Sequence, residues 1–213
     1  KLRHMKTLNK IIIAVVVLAL IGLIIKFSNS KKVENIPEPE KPVVIENDES
    51  IGTFSDNDFS FQYKKDLIAK DYNETSSWRG NTQTEGEFHV GILIPSSVQP
   101  NTNFREAKFT VGLSSDSVAL TECLIPTNGE RAKGEVTING VVFKKITLTD
   151  AGAGNYYDTT SYRAVHNEEC YAVEYTIHST NLRNYSPDQN IQEFDTPFIV
   201  QTLESMAQSF KFK

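Results

Sequence analysis

The chain has 213 residues, a net charge of −5 at pH 7 and 39% hydrophobic residues. This mild acidity offers no basic patch and therefore argues against a nucleic-acid-binding protein. Without an apolar N-terminal segment and the polar stretch after it, about 160 residues remain, which is enough for one domain with a well-buried core.

The first predicted element is the apolar run of residues 11–25, which contains no charged residue. As a helix it would extend about 22 Å, at ~1.5 Å per residue. A bilayer core requires about 20 apolar residues, and the apolar core of a signal peptide has about 7–15. The length therefore leaves two interpretations open: a retained membrane anchor, or a signal peptide whose removal would give a secreted protein.

The residues on either side of the run favour the anchor. Lys26 directly follows the run, where a cleavage site would carry small neutral residues. Lys6 and Lys10 precede the run and place the N-terminus in the cytoplasm. We therefore expect residues 5–27 to be a single-pass signal anchor in the lipid bilayer of the cytoplasmic membrane, with the C-terminal part extracytoplasmic. Residues 1–4 precede a plausible start at Met5 and are left out of the fold prediction.

Residues 28–52 are predicted to form an extended tether. Pro37, Pro39 and Pro42 alternate with charged residues in this stretch. Proline prevents regular structure and charge resists collapse, so a stiff spacer is expected.

Alternating apolar and polar residues predict strands from about residue 53 onward. They cover residues 59–63, 87–94, 107–113, 162–165 and 171–178. Residues 135–150 predict a hairpin, because Asn139-Gly140 can adopt the two positive φ values of a type I′ turn. In the last strand, one face is predicted to meet the core and the other to be wet. The core face carries Tyr171, Val173, Tyr175 and Ile177, and the wet face carries Ala172, Glu174, Thr176 and His178.

The C-terminus predicts a helix over about residues 197–208. Asp195 can cap its N-terminus, and Pro197 stands where a missing N–H is tolerated. Leu203 lies on an apolar stripe that should pack on the sheet. The predicted class is therefore α+β, an antiparallel β-sheet packed by a C-terminal helix and preceded by the transmembrane helix.

This order of elements resembles the Mog1/PsbP-like fold. The resemblance is carried by FSFQY at 59–63, TINGVVF at 137–143, CYAVEY at 170–175 and MAQSFKF at 206–212. It implies that residues 53–213 form a PsbP-like extracytoplasmic domain. Members of this fold serve as binding and assembly modules without a shared active site, so no functional residue is transferred.

Cys123 and Cys170 are the two cysteines of the chain. An even pair outside the cytoplasm usually bonds, so we predict a disulfide. The alternative is a pair of buried free thiols.

A glycine-rich segment at residues 150–158 is predicted to be a loop that contacts a partner. Asp150, Tyr156, Tyr157 and Asp158 would supply polar anchoring and aromatic contact area. Packing of one or two tyrosines in the core is the alternative.

His166, Glu168, Glu169 and His178 suggest a metal site, but their spacing matches no recognised one. We therefore assign no metal, cofactor or catalytic residue. The predicted function is a non-enzymatic, membrane-tethered binding or assembly module of the cell envelope with a protein partner. The alternative is an envelope enzyme, a metal-assisted hydrolase that would use His166, His178 and nearby carboxylates.

Overall fold

The computed structural model describes residues 50–67, 77–79, 82, 84–127 and 129–213. The predicted anchor and all but the end of the predicted tether lie outside these residues. Within them, no helix combines the length and the apolar character that crossing a bilayer requires.

Antiparallel strands dominate the described part of the chain. The strands are β1 (Ile51–Ser55), β2 (Phe59–Lys64), β3 (Glu87–Pro95), β4 (Phe104–Ser114), β5 (Arg131–Ile138), β6 (Val141–Gly152), β7 (Asn155–His166), β8 (Glu169–Thr180) and β9 (Lys211–Phe212). The α-helices are α1 (Ser117–Glu122) and α2 (Thr196–Ser209), and short 3₁₀ helices cover Lys65–Leu67, Ser96–Val98, Leu182–Asn184 and Pro187–Gln189. One sheet has the order β3-β4-β8-β7-β6-β5 and a smaller one the order β1-β2-β9. The structure thus confirms an antiparallel α+β arrangement with a C-terminal helix.

The predicted hairpin between β5 and β6 is confirmed. Asn139 and Gly140 have φ values of 47° and 87°, as a type I′ turn requires. The Asn139 side chain also donates hydrogen bonds to the carbonyl oxygens of Gln208 and Phe210, at 3.2 and 2.7 Å. The turn therefore holds the end of α2 in addition to reversing the chain.

The prediction of a loop at residues 150–158 is wrong. Strand β6 continues to Gly152 and β7 begins at Asn155, so only Ala153 and Gly154 form the turn, with φ values of 50° and 79°. The glycines in this segment suggested a loop, but cross-strand pairing extends the sheet almost to the turn.

The predicted capping and packing of α2 are confirmed. The Asp195 carboxylate accepts a hydrogen bond from the backbone N–H of Phe198 at 3.0 Å, which satisfies one free donor of the first turn. Leu203 is fully buried. After the helix, β9 pairs with β2, with Phe212 opposite Phe59.

The main core lies on one side of the six-stranded sheet, here called the inner face. It carries Tyr171, Val173, Tyr175 and Ile177 of β8, as predicted, and all four are buried. Helix α2 and the smaller sheet supply the other half of this core.

The opposite side, here called the outer face, is covered at one end only. A second apolar cluster lies there and consists of Trp78, Ala119, Cys123, Cys170 and Ala172. The prediction of a wet face is therefore wrong for Ala172 and Glu174, which are 1% and 5% exposed. The residues that cover this end include Trp78, Ala119 and Cys123, which are far from β8 in the sequence. The alternation of apolar and polar residues along β8 does not reveal them.

Candidate functional site

The uncovered end of the outer face carries an exposed aromatic surface. Tyr157 of β7 stacks on His178 of β8, with ring centroids 4.4 Å apart and planes at 18°. Together with Glu106, Lys108 and Thr176 they line a recess of about 230 Å³. We call these five residues the Tyr157–His178 shelf.

The register of three strands produces this shelf. Tyr157 lies opposite His178, and His178 lies opposite Glu106 on β4. Cross-strand neighbours on one face are close enough for ring stacking. The shelf is therefore built on paired strands and not on a loop.

His178 is held in a defined orientation. Its Nε2 atom lies 2.8 Å from Oδ1 of Asn155. Burial lowers the pKa of His178 below its usual value, Glu106 partly offsets this effect, and Arg105 and Lys108 lower the pKa further. A neutral imidazole that stacks on a tyrosine ring gives the shelf a flat aromatic centre, with the charged Glu106 and Lys108 beside it on β4.

The four residues predicted for partner contact lie at the same hairpin end but on two faces. Asp150 is paired with Tyr157 and shares its outer side. Tyr156 and Asp158 belong to the inner side, where Asn181 Nδ2 donates to the Tyr156 hydroxyl and Thr149 donates to Asp158, each at 2.8 Å. Tyr156 and Tyr157 are each 38% exposed, so neither is a core residue.

The residues of the predicted metal site are not brought together. His166 lies opposite Glu169 at one end of the β7–β8 pair, and His178 lies opposite Tyr157 at the other end. The His166 ring instead stacks on Phe212, with centroids 3.9 Å apart. Among the described residues, no group of three or more His, Cys, Asp or Glu side chains could hold a metal ion.

A buried ion pair beneath the covered end of the outer face was not predicted. The side chain of Arg163 is 0% exposed and that of Glu130 is 4% exposed. Arg163 Nη1 donates to Glu130 Oε2 at 3.1 Å, and Nη2 donates to Oε1. Glu174 Oε2 lies 3.8 Å from Nη2, and the Ser161 hydroxyl accepts from Nε at 2.9 Å.

This environment sets the protonation state of Glu130. Burial alone would raise its pKa, but the hydrogen bonds from Arg163 and from the backbone amide of Thr127 outweigh burial, so the pKa is lowered. Glu130 is therefore a carboxylate that neutralises Arg163 inside the fold. The sequence gives only a weak signal for this pair. Arg163 is a charged residue between Tyr162 and Ala164 in a predicted strand.

A second unpredicted cluster joins α2 to the inner face. The Glu204 carboxylate accepts hydrogen bonds from Lys145 Nζ and the Tyr175 hydroxyl, each at 2.7 Å, and from the Tyr162 hydroxyl. Burial and the hydrogen bond to Glu204 raise the pKa of Tyr162. Burial would raise the pKa of Glu204, but its three donors lower it. The cluster fixes the helix on the sheet.

Cys123 and Cys170 lie at disulfide distance. Their Cα atoms are 5.6 Å apart and their Sγ atoms 2.10 Å apart. The pair connects the segment that follows α1 to the first part of β8 and lies within the apolar cluster around Trp78.

We expect the intact protein, denatured without reductant in the presence of an alkylating reagent, to incorporate no label. The reason is that one covalent bond between the two Sγ atoms, which lie 2.10 Å apart, leaves no free thiol. Intact mass spectrometry with and without prior reduction measures this. Two alkylated cysteines in the unreduced sample would contradict the predicted bond.

Comparisons with known proteins give little information about this chain. No protein-family model matches it. No curated protein matches it with significant similarity. A crystal structure from Bacteroides thetaiotaomicron VPI-5482 is similar to it at 9% sequence identity, with a TM-score of 0.38, over 73% of this chain and 45% of that one. The chain thus spans less than half the length of that protein.

Proposed function

We propose that this chain is a membrane-tethered binding or assembly module on the extracytoplasmic side of the cytoplasmic membrane, and not an enzyme. The apolar residues 11–25 would anchor it in the lipid bilayer, and the proline-rich tether would set its reach. The domain would then offer one exposed aromatic surface to another envelope protein.

The observation that carries this proposal is the Tyr157–His178 shelf, with Tyr156 exposed on the opposite face of the same hairpin end. Tyrosine supplies a large, amphipathic contact area with few rotatable bonds. Because the stack rests on paired strands, little conformational entropy is lost when a partner binds. Glu106 and Lys108 add one charge of each sign at the border of the stack, which can orient a polar partner.

The resemblance to Mog1/PsbP-like proteins belongs to the same proposal. The described antiparallel sheets, with α2 running directly into β9, suit the helix-to-strand ending that carries this resemblance. Proteins of that fold act as binding and assembly modules, which agrees with a contact surface of this kind.

We expect the double variant Tyr156→Ser/Tyr157→Ser to lose capture of the partner from crosslinked membranes. Both side chains are substantially exposed, so the loss should come from contact area and not from unfolding. Quantitative mass spectrometry of proteins crosslinked to the full-length chain measures the loss, and thermal unfolding is followed in parallel.

A matched control is available on the face that carries Tyr157. Val142 and Val165 are exposed apolar residues at the other end of the β6–β7 pair, 56% and 48% accessible. The variant Val142→Ser/Val165→Ser should retain capture. Retained capture by the tyrosine variant, or equal losses in both variants, would contradict a contact role for the tyrosines.

We further expect the protein to fractionate with membranes and to keep residues 11–25 in its mature form. The physical reason is the charged Lys26 directly after the apolar run, which makes a poor cleavage site. Cell fractionation and sequencing of the mature N-terminus test this. A soluble product that starts near Lys31 would show that the run is a signal peptide.

A further inference from the structure

The turn between β5 and β6 carries a chemically labile pair of residues, Asn139 and Gly140. Both are exposed, and a Cβ atom placed on Gly140 would meet no atom within 4 Å. In an Asn-Gly pair, no side chain hinders the approach of the glycine nitrogen to the carboxamide carbon of the asparagine. The sequence of this turn therefore permits loss of the side-chain amide as ammonia.

The reaction would take place in two steps. The backbone nitrogen of Gly140, after loss of its proton, forms a bond to Cγ of Asn139, while the Cγ–Nδ2 bond breaks and Nδ2 takes up a proton and leaves as ammonia. Water then opens the five-membered imide at one of its two carbonyl carbons. The products are aspartate and isoaspartate, and in isoaspartate the main chain runs through Cγ. Water is the only co-reactant, and nothing is oxidised or reduced.

In the folded chain, the Asn139 side chain is held away from this reaction. Its Nδ2 atom donates to the carbonyl oxygens of Gln208 at 3.2 Å and of Phe210 at 2.7 Å. The backbone of Asn139 has a φ of 47°, in the left-handed region that a type I′ turn requires. Closure of the imide ring requires the side chain to rotate toward the Gly140 nitrogen and the backbone to leave this conformation. The rotation of the side chain breaks both hydrogen bonds to the end of α2.

The product would no longer bind the end of α2. A carboxylate at position 139 only accepts hydrogen bonds, so it cannot pair with the carbonyl oxygens of Gln208 and Phe210. It would also lie next to the C-terminal, negative end of the α2 dipole. Lys211 lines the same recess of about 340 Å³ and can form an exposed ion pair with the new charge. Such a pair contributes less than the two hydrogen bonds that are lost.

The contact at Asn139 is connected to the core. The Phe210 ring lies 5.2 Å from the ring of Phe59 and 5.9 Å from that of Phe143, measured between centroids. Isoaspartate would also add a backbone atom to a two-residue turn, next to the pair of Ile138 with Val141. Opening of the end of α2 and modification of the turn therefore favour each other.

We propose that Asn139-Gly140 is a latent modification site that reacts when the C-terminal end of α2 withdraws from the turn. While this end is docked, the carbonyl groups of Gln208 and Phe210 hold the asparagine amide, and the pair is stable. Once the end withdraws, ammonia is lost, and the new carboxylate hinders renewed docking. The site shares no residue with the Tyr157–His178 shelf, so it stands or falls independently of the function proposed above.

The first test measures the rate of conversion in the wild-type, full-length protein. The protein is incubated in alkaline buffer in detergent micelles, with or without urea at a concentration that unfolds the domain, and peptide mapping by mass spectrometry quantifies aspartate and isoaspartate. Asn128-Gly129, the second Asn-Gly pair of the chain, is a sequence-matched reference in urea.

We expect the two pairs to convert at similar rates in urea. Without urea, Asn139 should convert more slowly by about tenfold or more, which corresponds to the two hydrogen bonds that must break first. Equal rates of Asn139 conversion with and without urea, or no conversion of Asn139 in urea, would overturn the proposal.

The second test measures the consequence of the modification. Asn139→Asp should speed hydrogen exchange of the backbone amides of residues 209–212 by about fivefold, which corresponds to the net loss of one hydrogen bond. Asn101→Asp is the matched control and should leave this exchange unchanged. Asn101 is also exposed with a positive φ of 59°, and its side chain forms no hydrogen bond to any residue that the structure describes. Unchanged exchange in Asn139→Asp, or an equal increase in both variants, would also overturn the proposal.

Discussion

Arg163→Met should lower the free energy of unfolding by about 3–5 kcal/mol, the range for removing one partner of a buried ion pair. The substitution leaves the Glu130 carboxylate without its counter-charge, while both side chains are almost inaccessible to water. It also leaves Glu174 without a cation at 3.8 Å. Chemical denaturation of the full-length protein, followed by the emission of Trp78, measures the change.

Two comparisons separate this effect from general damage to the fold. Arg163→Met combined with Glu130→Met should be less destabilised than Arg163→Met alone, because no unpaired carboxylate remains at that position. Lys144→Met breaks the ion pair of Lys144 with Glu135, which is 3.9 Å long and partly exposed, and should cost less than about 1 kcal/mol. If Arg163→Met costs no more than Lys144→Met, the buried pair is not a major source of stability.

The buried pair should also make stability depend on pH. The pKa of Glu130 is lower in the folded state than in the unfolded chain. Its stabilising contribution is therefore fully present above the unfolded pKa of about 4.3, and it is lost as the pH falls through the folded pKa. The stability difference between the wild type and Glu130→Gln should accordingly shrink as the pH is lowered from 7 to 3.

Leu203→Ala should lower the free energy of unfolding by about 2–5 kcal/mol. Leu203 is 0% exposed in the core between α2 and the inner face, so truncation removes apolar burial and leaves a cavity. Leu203→Met, which nearly conserves volume, should cost less than about 1.5 kcal/mol. Gln201→Ala, at an exposed position of the same helix, should change stability by no more than about 0.5 kcal/mol. An unchanged denaturation midpoint for Leu203→Ala would refute this packing.

Local signals in the sequence were sufficient for the hairpins and for the C-terminal helix. Asn139-Gly140 defined its turn because few other residue pairs adopt two positive φ values. Asp195 and Pro197 defined the start of α2 because both satisfy the first helical turn. The same kind of local argument misassigned residues 150–158. Gly152 and Gly154 suggested a loop, but the residues around them pair as the ends of β6 and β7.

Long-range contacts could not be derived in this way. The alternation along β8 assigned Glu174 to a wet face, because it carries no information on what covers that face. The cover comes from the segment around Cys123 and from Trp78, far away in the sequence. The pairing of β4 with β8 is equally non-local, so the neighbours of His178 on β4 were hidden until the register was known. The shelf therefore combines three residues that the sequence singled out, Tyr157, Thr176 and His178, with two unpredicted ones, Glu106 and Lys108.

The pairing of β9 with β2 has a consequence for the order of assembly during synthesis. Phe212 lies opposite Phe59, and Phe210 stacks on Phe59 with ring centroids 5.2 Å apart. Contacts of such large sequence separation form only after the intervening chain is available, and they slow folding. The hairpin strands of the large sheet can pair with their neighbours as they are synthesised, and β2 can pair with β1 in the same way, whereas the other edge of β2 must wait for β9. Until then, Phe59 lacks the ring of Phe210, and this interval is when the nascent domain is most open to chaperones and proteases.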